Sequence, residues 1–144
     1  MSAVLNPYLT FQNNAREAME FYQSVLGGEL KITTFGEGGA QGAAEDEKDL
    51  IMHAVIENGP LTFMASDGGK VHPVQVGDNM SMSLSGDDEE ALTKYFNGLS
   101  EGGKVNMPLS KAPWGDTFGM FQDKFDINWL VNISAGSQSA ETPK

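Results

Sequence analysis

Glu17-Ala18-Met19-Glu20-Phe21-Tyr22-Gln23-Ser24-Val25-Leu26-Gly27-Gly28-Glu29-Leu30 sets the architecture of this chain, because its pattern returns in a second, diverged copy. Glu17-Ala18-Met19, Tyr22 and Leu26 return as Glu90-Ala91-Leu92, Tyr95 and Leu99, each 73 positions on. Gly27-Gly28-Glu29-Leu30 returns as Gly102-Gly103-Lys104-Val105, displaced by two more. An internal repeat outranks any single element, since a repeated unit dictates the whole topology. In the first copy Ala15, Ala18, Met19, Tyr22, Val25 and Leu26 recur at helical spacing and give one apolar face. Asn14 is the expected N-cap, with Glu17 completing a capping box. Gly27-Gly28 ends the helix, because glycine takes a left-handed cap without steric cost. In the second copy a helix is expected over residues 88–101, with Asp87 as N-cap and Glu90 at the box position. The acidic run 87–90 suits the positive end of that helix without any functional role.

Strands flank both helices. Leu5, Leu9 and Phe11 alternate with Asn6, Tyr8 and Thr10, the two-residue period of a half-buried strand, and Pro7 fits its beginning or an edge. Residues 29–35 read as a β-branched strand. Residues 51–57, the turn Asn58-Gly59-Pro60 and residues 61–66 read as a hairpin. Strands are expected again over 79–85, 104–110, 116–122 and 127–133. Residues 36–49, rich in glycine and acidic, are expected to form a flexible loop or lid over the site, because their composition offers little to bury. Glu45-Asp46-Glu47 within it reads as a solvated charge run rather than a calcium loop. The fold class is thus α+β, with two β-α-β-β-β modules. One domain covers 1–134, with module one at about 4–66, a linker at 67–78 and module two at 79–134. Residues 135–144 are small and polar, and a disordered tail is expected there.

Composition narrows the function. The chain has 144 residues, enough for one domain, and 40% are hydrophobic. A net charge of −11 disfavours nucleic acid and anionic membranes, which need basic surfaces. There is no cysteine, so disulfides and thiolate metal sites are excluded, in keeping with a reducing, cytoplasmic setting. No apolar run approaches a membrane span, and no secretion signal is read at Met1-Ser2-Ala3. The sequon Asn132-Ile133-Ser134 is therefore taken as chance.

A family resemblance sits on particular residues. Asn6-Pro7-Tyr8-Leu9-Thr10-Phe11, Ala15-Arg16-Glu17-Ala18 and Phe21-Tyr22 resemble the opening of PhnB-like proteins of the glyoxalase / bleomycin-resistance / dioxygenase (vicinal oxygen chelate) superfamily. So do Ile51-Met52-His53-Ala54 and Leu61-Thr62-Phe63-Met64-Ala65-Ser66-Asp67. The most specific match is Trp114-Gly115-Asp116 with Gly119, then Asp123-Lys124-Phe125-Asp126 before Asn128-Trp129; Asp126 departs from the turn glycine frequent in the family. The resemblance implies curved mixed sheets around a ligand cleft, with helices on the outer face, and a homodimer. Superfamily activities include glyoxalase, ring-cleaving dioxygenase, epimerase, thiol transfer to fosfomycin and metal-free bleomycin sequestration. Such proteins also carry a ubiquinone-related methyltransferase label. This sequence has no glycine-rich nucleotide-binding segment at a strand–helix junction to support it.

In the superfamily's metal enzymes, His, Gln or Glu occupy inward positions on the first and fourth strand of each module. Aligning the strands puts Asn6, Met64, Asn79 and Leu130 there. Methionine and leucine cannot replace carboxylates, and neither asparagine is a strong transition-metal ligand. Strand parity supports the alignment. With Leu5, Leu9, Phe11, Met80, Met82, Leu84, Trp129, Val131 and Ile133 in the core, Asn6, Tyr8, Thr10, Asn79, Ser81, Ser83, Asn128, Leu130 and Asn132 face the cleft. His53 and His72 have no close partner in sequence and are read as structural. The expected ligand-lining residues are Tyr8, Thr10, Thr62, Met64, Ser81, Trp114, Asn128 and Leu130, with no metal and no other cofactor. Trp114 and Phe118 fit a core as well as a ligand wall. The function expected is metal-independent binding of a small organic ligand. The alternatives are a metal-dependent lyase or isomerase like glyoxalase I, and drug sequestration like bleomycin-resistance protein.

Overall fold

A computed structural model describes residues 3–38, 45–70 and 72–135. The chain divides into two compact units, Met1–Gln75 and Val76–Lys144. Unit one contains β1 (Tyr8–Phe11), α1 (Ala15–Leu26), β2 (Glu29–Thr34), a short 3-10 turn (Glu45–Glu47), β3 (Ile51–Asn58) and β4 (Leu61–Asp67). Unit two contains β5 (Met82–Gly86), α2 (Glu89–Ser100), β6 (Lys104–Lys111), β7 (Thr117–Gln122) and β8 (Asn128–Ile133). Each unit therefore runs β-α-β-β-β. The sheets are ordered β1-β4-β3-β2 and β5-β8-β7-β6. In both, the first strand lies parallel to the last and the remaining pairs are antiparallel. This is the α+β arrangement expected from the repeat.

Why each sheet is amphipathic follows from strand parity. Phe63, Ala65 and Asp67 of β4 are buried, as are Ala54 and Ile56 of β3, while the residues between them are less so. The apolar stripe of α1, Ala15, Ala18, Met19, Tyr22 and Leu26, is buried along its length. The Tyr22 ring meets Phe63 of β4 at 5.8 Å. In unit two, Leu92, Phe96 and Leu99 of α2 are buried. Phe121 and Trp129 of neighbouring strands stack at 6.2 Å, and the Phe96 ring meets Phe121 edge-on at 5.0 Å. Burying a side chain of this size contributes about 1.5–3 kcal/mol. Leu26 and Leu99, partners in the repeat, are both buried at the helix ends.

Several local expectations are corrected. The first strand of each module starts later than its alternation suggests, at Tyr8 and at Met82. Leu5 is 98% exposed and Met80 is 80% exposed, so neither belongs to the core assigned to it. Their apolar character continues the pattern beyond the last residue that finds a ladder partner. Asn14 occupies the N-cap of α1, yet its side chain makes no capping bond. A carboxylate from the far end of the unit does that work: Asp67 Oδ1 accepts the Ala15 N–H at 2.8 Å. In α2 the cap is Asp88, not Asp87, and its Oδ1 accepts the Ala91 N–H at 3.1 Å. Losing such a cap costs about 1 kcal/mol. Asp88→Ala should therefore lower the melting temperature by a few degrees, whereas Asn14→Ala should leave it nearly unchanged; equal effects in thermal melts would contradict these cap assignments.

The glycine pair after α1 behaves as expected in φ but not in ψ. Gly27 has φ 80° and ψ −168°, so the chain leaves extended rather than through a left-handed helical cap. Gly28 has φ +90°, and a Cβ there would lie 2.6 Å from the Glu57 carbonyl oxygen, so only glycine fits against β3. Asn58, read as a turn residue, ends β3, and its Nδ2 donates to the Leu26 carbonyl at 2.7 Å. It satisfies a carbonyl that the helix end leaves open. Asp126, standing where glycine is frequent, adopts φ 70°, the left-handed conformation that the turn demands.

The acidic segment before β3 also differs from expectation. Residues 39–44 lie outside the described residues, and so does the greater part of the expected tail. The expected lid motion falls largely on the former. What is described is anchored. Gly36 N–H donates to the Lys48 carbonyl at 3.0 Å, and Phe35 N–H to Leu50 at 2.9 Å. Glu47 is buried and its Oε2 accepts the Lys70 N–H at 2.9 Å, so it is not part of a solvated charge run. Gln12 holds the same crossing: Nε2 donates to the Gly69 carbonyl at 3.0 Å and Oε1 accepts the Val74 N–H at 2.7 Å.

Candidate functional site

Each helix covers one side of its sheet and leaves the other side to other contacts. On unit one this open face is ordered in rows, one residue per strand. Lys31 pairs with Val55, Val55 with Met64, and Met64 with Tyr8, so Val55, Met64 and Tyr8 form an apolar row. The next row toward the end of β1 is polar. Thr33 pairs with His53 and Ser66 with Thr10; Ala54 pairing with Ala65 puts His53 next to Ser66. The Tyr8 and His53 rings approach to 6.0 Å with a 36° tilt, which shows directly that β1 and β3 present them on the same side. On the other flank Thr62 pairs with Glu57 and Glu57 with Glu29. Lys31 Nζ lies 3.3 Å from Glu57 Oε1, and since both side chains are more than half exposed the pair adds little stability.

Unit two repeats the scheme with different chemistry. Ser83 pairs with Leu130, Leu130 with Met120 and Met120 with Met107. Ser85 pairs with Asn132, Asn132 with Phe118 and Phe118 with Ser110. Topologically Leu130 matches Met64, and Phe118 stands where unit one has His53. Asn132 is engaged, since its Nδ2 donates to Asp116 Oδ2 at 3.0 Å. The sequon asparagine is thus tied to a buried carboxylate. Trp114, in the turn between β6 and β7, is 55% exposed and meets the Phe118 ring edge-on at 6.0 Å. Both rings lie away from the helix-side core.

The expected ligand-lining residues distribute as follows. Tyr8, Thr10, Thr62 and Met64 share the open face of unit one. Asn128 and Leu130 share that of unit two, with Trp114 at its margin. Ser81 is exposed and lies just ahead of β5, off the strand. Of the four positions aligned with metal ligands, Met64 and Leu130 are on open faces, while Asn6 and Asn79 precede β1 and β5. Among the described residues no three of His, Cys, Asp and Glu come together as a metal-binding group. The donor set at the family's metal positions does not fit a transition metal, because thioether, alkyl and two carboxamide groups supply neither charge nor imidazole.

The sequence reads His53 as structural and assigns no role as acceptor to four buried carboxylates. Asp67 accepts from Ala15 and Ile51 N–H, each at 2.8 Å, joining the start of α1 to the start of β3. Asp123 Oδ1 accepts from Phe125 at 2.8 Å and Ile127 at 3.1 Å, and Oδ2 from the Trp129 indole at 2.8 Å. Asp116 accepts from Asn132 and, at 3.1 Å, from the Ala135 N–H. With Glu47, these are structural acceptors. A depression of about 930 Å³ lies along the outer side of α2, lined by Glu89, Thr93, Asn97 and their neighbours. It is a solvent-facing helix surface with no link to the rows above.

A family model described as 3-demethylubiquinone-9 3-methyltransferase matches residues 3–132. The chain belongs to this family. It is 31% identical to protein YjdN of Escherichia coli over 140 residues, 90% of this chain and 94% of that one. Its likeness to the crystal structure of PA1353 from Pseudomonas aeruginosa has a TM-score of 0.80 at 40% identity, over 92% and 98% of the two chains. A PhnB protein from Bacillus cereus, at 22% identity, TM-score 0.71 and coverage of 92% and 100%, shares the fold. So does a glyoxalase/bleomycin resistance protein/dioxygenase family enzyme from Burkholderia phytofirmans, at 12% identity, TM-score 0.60 and coverage of 88% and 95%. Among the described residues, no helix is long and apolar enough to cross a membrane.

Proposed function

We propose that this PhnB-like protein binds a small organic molecule on the open faces of its sheets, without a transition metal. The observation that carries the reading is the face of unit one. An apolar row of Val55, Met64 and Tyr8 runs beside a row of Thr33, His53, Ser66 and Thr10. Apolar walls with a few convergent polar groups are the usual make-up of a small-molecule site. Thr10, Thr62, Asn128, Leu130 and Trp114 complete the surfaces assigned to the ligand. Methyl transfer, named in the family description, has no counterpart in these residues. The strand–helix junctions, Gln12-Asn13-Asn14 and Asp87-Asp88, carry no glycine-rich turn, and both helix starts already hold a carboxylate.

Mapping amide chemical shifts during titration with a mixed library of neutral and charged aromatic fragments tests the site. Shifts should gather on residues of the open faces, such as Thr10, Met64 and Leu130. Shifts confined to the helix surfaces would sink the reading. Metal independence has its own test. Elemental analysis after dialysis without chelator should find well under one equivalent of zinc, nickel, iron or manganese. A stoichiometric metal would reinstate a glyoxalase-like centre.

We also propose a cytoplasmic homodimer. The absence of cysteine supports a reducing compartment. Exposed apolar side chains such as Val4, Leu5, Met80 and Met107 support a further interface. Light scattering at micromolar concentration should report about twice the chain mass of 15.5 kDa. A clean monomer there would refute the dimer.

A further inference from the structure

We infer that the open face of unit one selects an organic anion: a compact apolar body carrying one carboxylate-type head. This inference rests on the proposed small-molecule site and names the class of ligand. The head would meet Thr33, His53, Ser66 and Thr10, and the body would lie on Val55, Met64 and Tyr8.

The argument is one of hydrogen-bonding inventory. The polar row crosses all four strands of the sheet, spanning about 14 Å at the usual strand separation. Its side chains are three hydroxyls and one imidazole, all able to donate. None of the four makes a side-chain hydrogen bond among the described residues, and His53 is fixed instead by the Tyr8 ring. In unit two the equivalent row has Phe118 in place of the imidazole, and its Asn132 amide already donates to Asp116, which singles out unit one.

No carboxylate stands in that row or in the row beside it. Besides His53, the ionisable groups on this face among the described residues are Lys31, Glu57 and Glu29. Lys31 and Glu57 neutralise each other at 3.3 Å. Glu29 is four residues along β2 from Thr33, about 13 Å away. Glu37, beyond the end of β2, is turned to the Thr34 N–H, which its Oε1 accepts at 3.0 Å. Among the described residues, a carboxylate head placed between His53 and Ser66 therefore meets donors and no competing acid. A cationic head meets no acceptor of matching charge. The chain's net charge of −11 opposes anions only at long range, and near-physiological salt screens it within about 8 Å.

The test uses the full chain and three probes of one shape: phenylbutyrate, phenylbutanamide and phenylbutylamine. Phenylbutyrate should bind about tenfold tighter than the amide, the discrimination expected of a hydrogen bond to a charged group. The amine should be weakest. His53→Phe, which takes away the imidazole donor, should remove most of the difference between acid and amide, with circular dichroism reporting that the variant is folded. If that variant does not fold, Ser66→Ala serves, with a smaller loss for the acid alone. Equal affinity for acid and amide, or tightest binding of the amine, overturns the inference; shifts at Tyr8 and Met64 would still uphold the ligand site. If no probe shifts either open face, both readings fall.

Discussion

Asp67→Ala should destabilise the chain by about 4 kcal/mol, with a melting temperature lowered by about 10 °C or more. Asp67 is 5% exposed and ends β4. One oxygen takes the first amide of α1, from Ala15, and the other takes the first amide of β3, from Ile51. Alanine would leave two buried N–H groups without a partner, and each such group costs about 1–3 kcal/mol. Asp67→Asn keeps one carbonyl oxygen and should fall between alanine and the parent. Thermal melts followed by circular dichroism read the series. A drop of only a degree or two for alanine would show that water or a shifted backbone replaces the carboxylate.

The second large effect belongs to unit two. Asp123 receives two backbone amides on one oxygen and the Trp129 indole on the other. Asp123→Ala should cost about 3 kcal/mol or more, because turn and indole lose a buried acceptor together. Asp123→Asn separates the two roles: its single carbonyl oxygen can serve the turn or the indole, not both. It should therefore perturb the tryptophan fluorescence even where most stability is retained. Unchanged emission and unchanged melting in Asp123→Ala would dismiss this carboxylate as the organiser of the β7–β8 turn.

These two aspartates show what a sequence makes legible and what it hides. The β-α-β-β-β repeat could be read because its signals are local: an apolar face on each helix and glycine pairs after them. The ends of strands were harder. Leu5 and Met80 extend the alternation although pairing stops at Tyr8 and Met82, short of the ends of their partner strands; before β1 stands Pro7, which has no N–H to donate to a ladder. The capping of α1 was hidden too. Asn14 has the right local chemistry, but the bond comes from Asp67, 52 positions from Ala15. Asp123 was more accessible, because Asp accepting the amide two residues on is a local turn signature. His53 was read as structural for want of a neighbour in sequence, and its neighbour Tyr8 comes from another strand. Glu47 looked like surface charge, and its partner at Lys70 appears only once the chain has turned back. Strand parity turns Tyr8 and Thr10 to the same side of β1, since alternation transmits facing along a strand without knowledge of the partner.

The parallel pairing of first and last strand has a consequence for synthesis. β1 sits at the sheet edge beside β4, so Tyr8 must wait for Met64 before its ladder can form. A nascent chain cannot complete unit one until β4 has cleared the ribosome, although α1 can coil much earlier. Unit two faces a stricter delay. β8, the final strand, lies between β5 and β7. Until it arrives, the two strands it will separate each expose a ladder edge, which is the surface most prone to pairing with a neighbouring chain. A ribosome stalled short of Asn128 would hold out a sheet missing an interior strand, and misassembly during translation should concentrate in that interval.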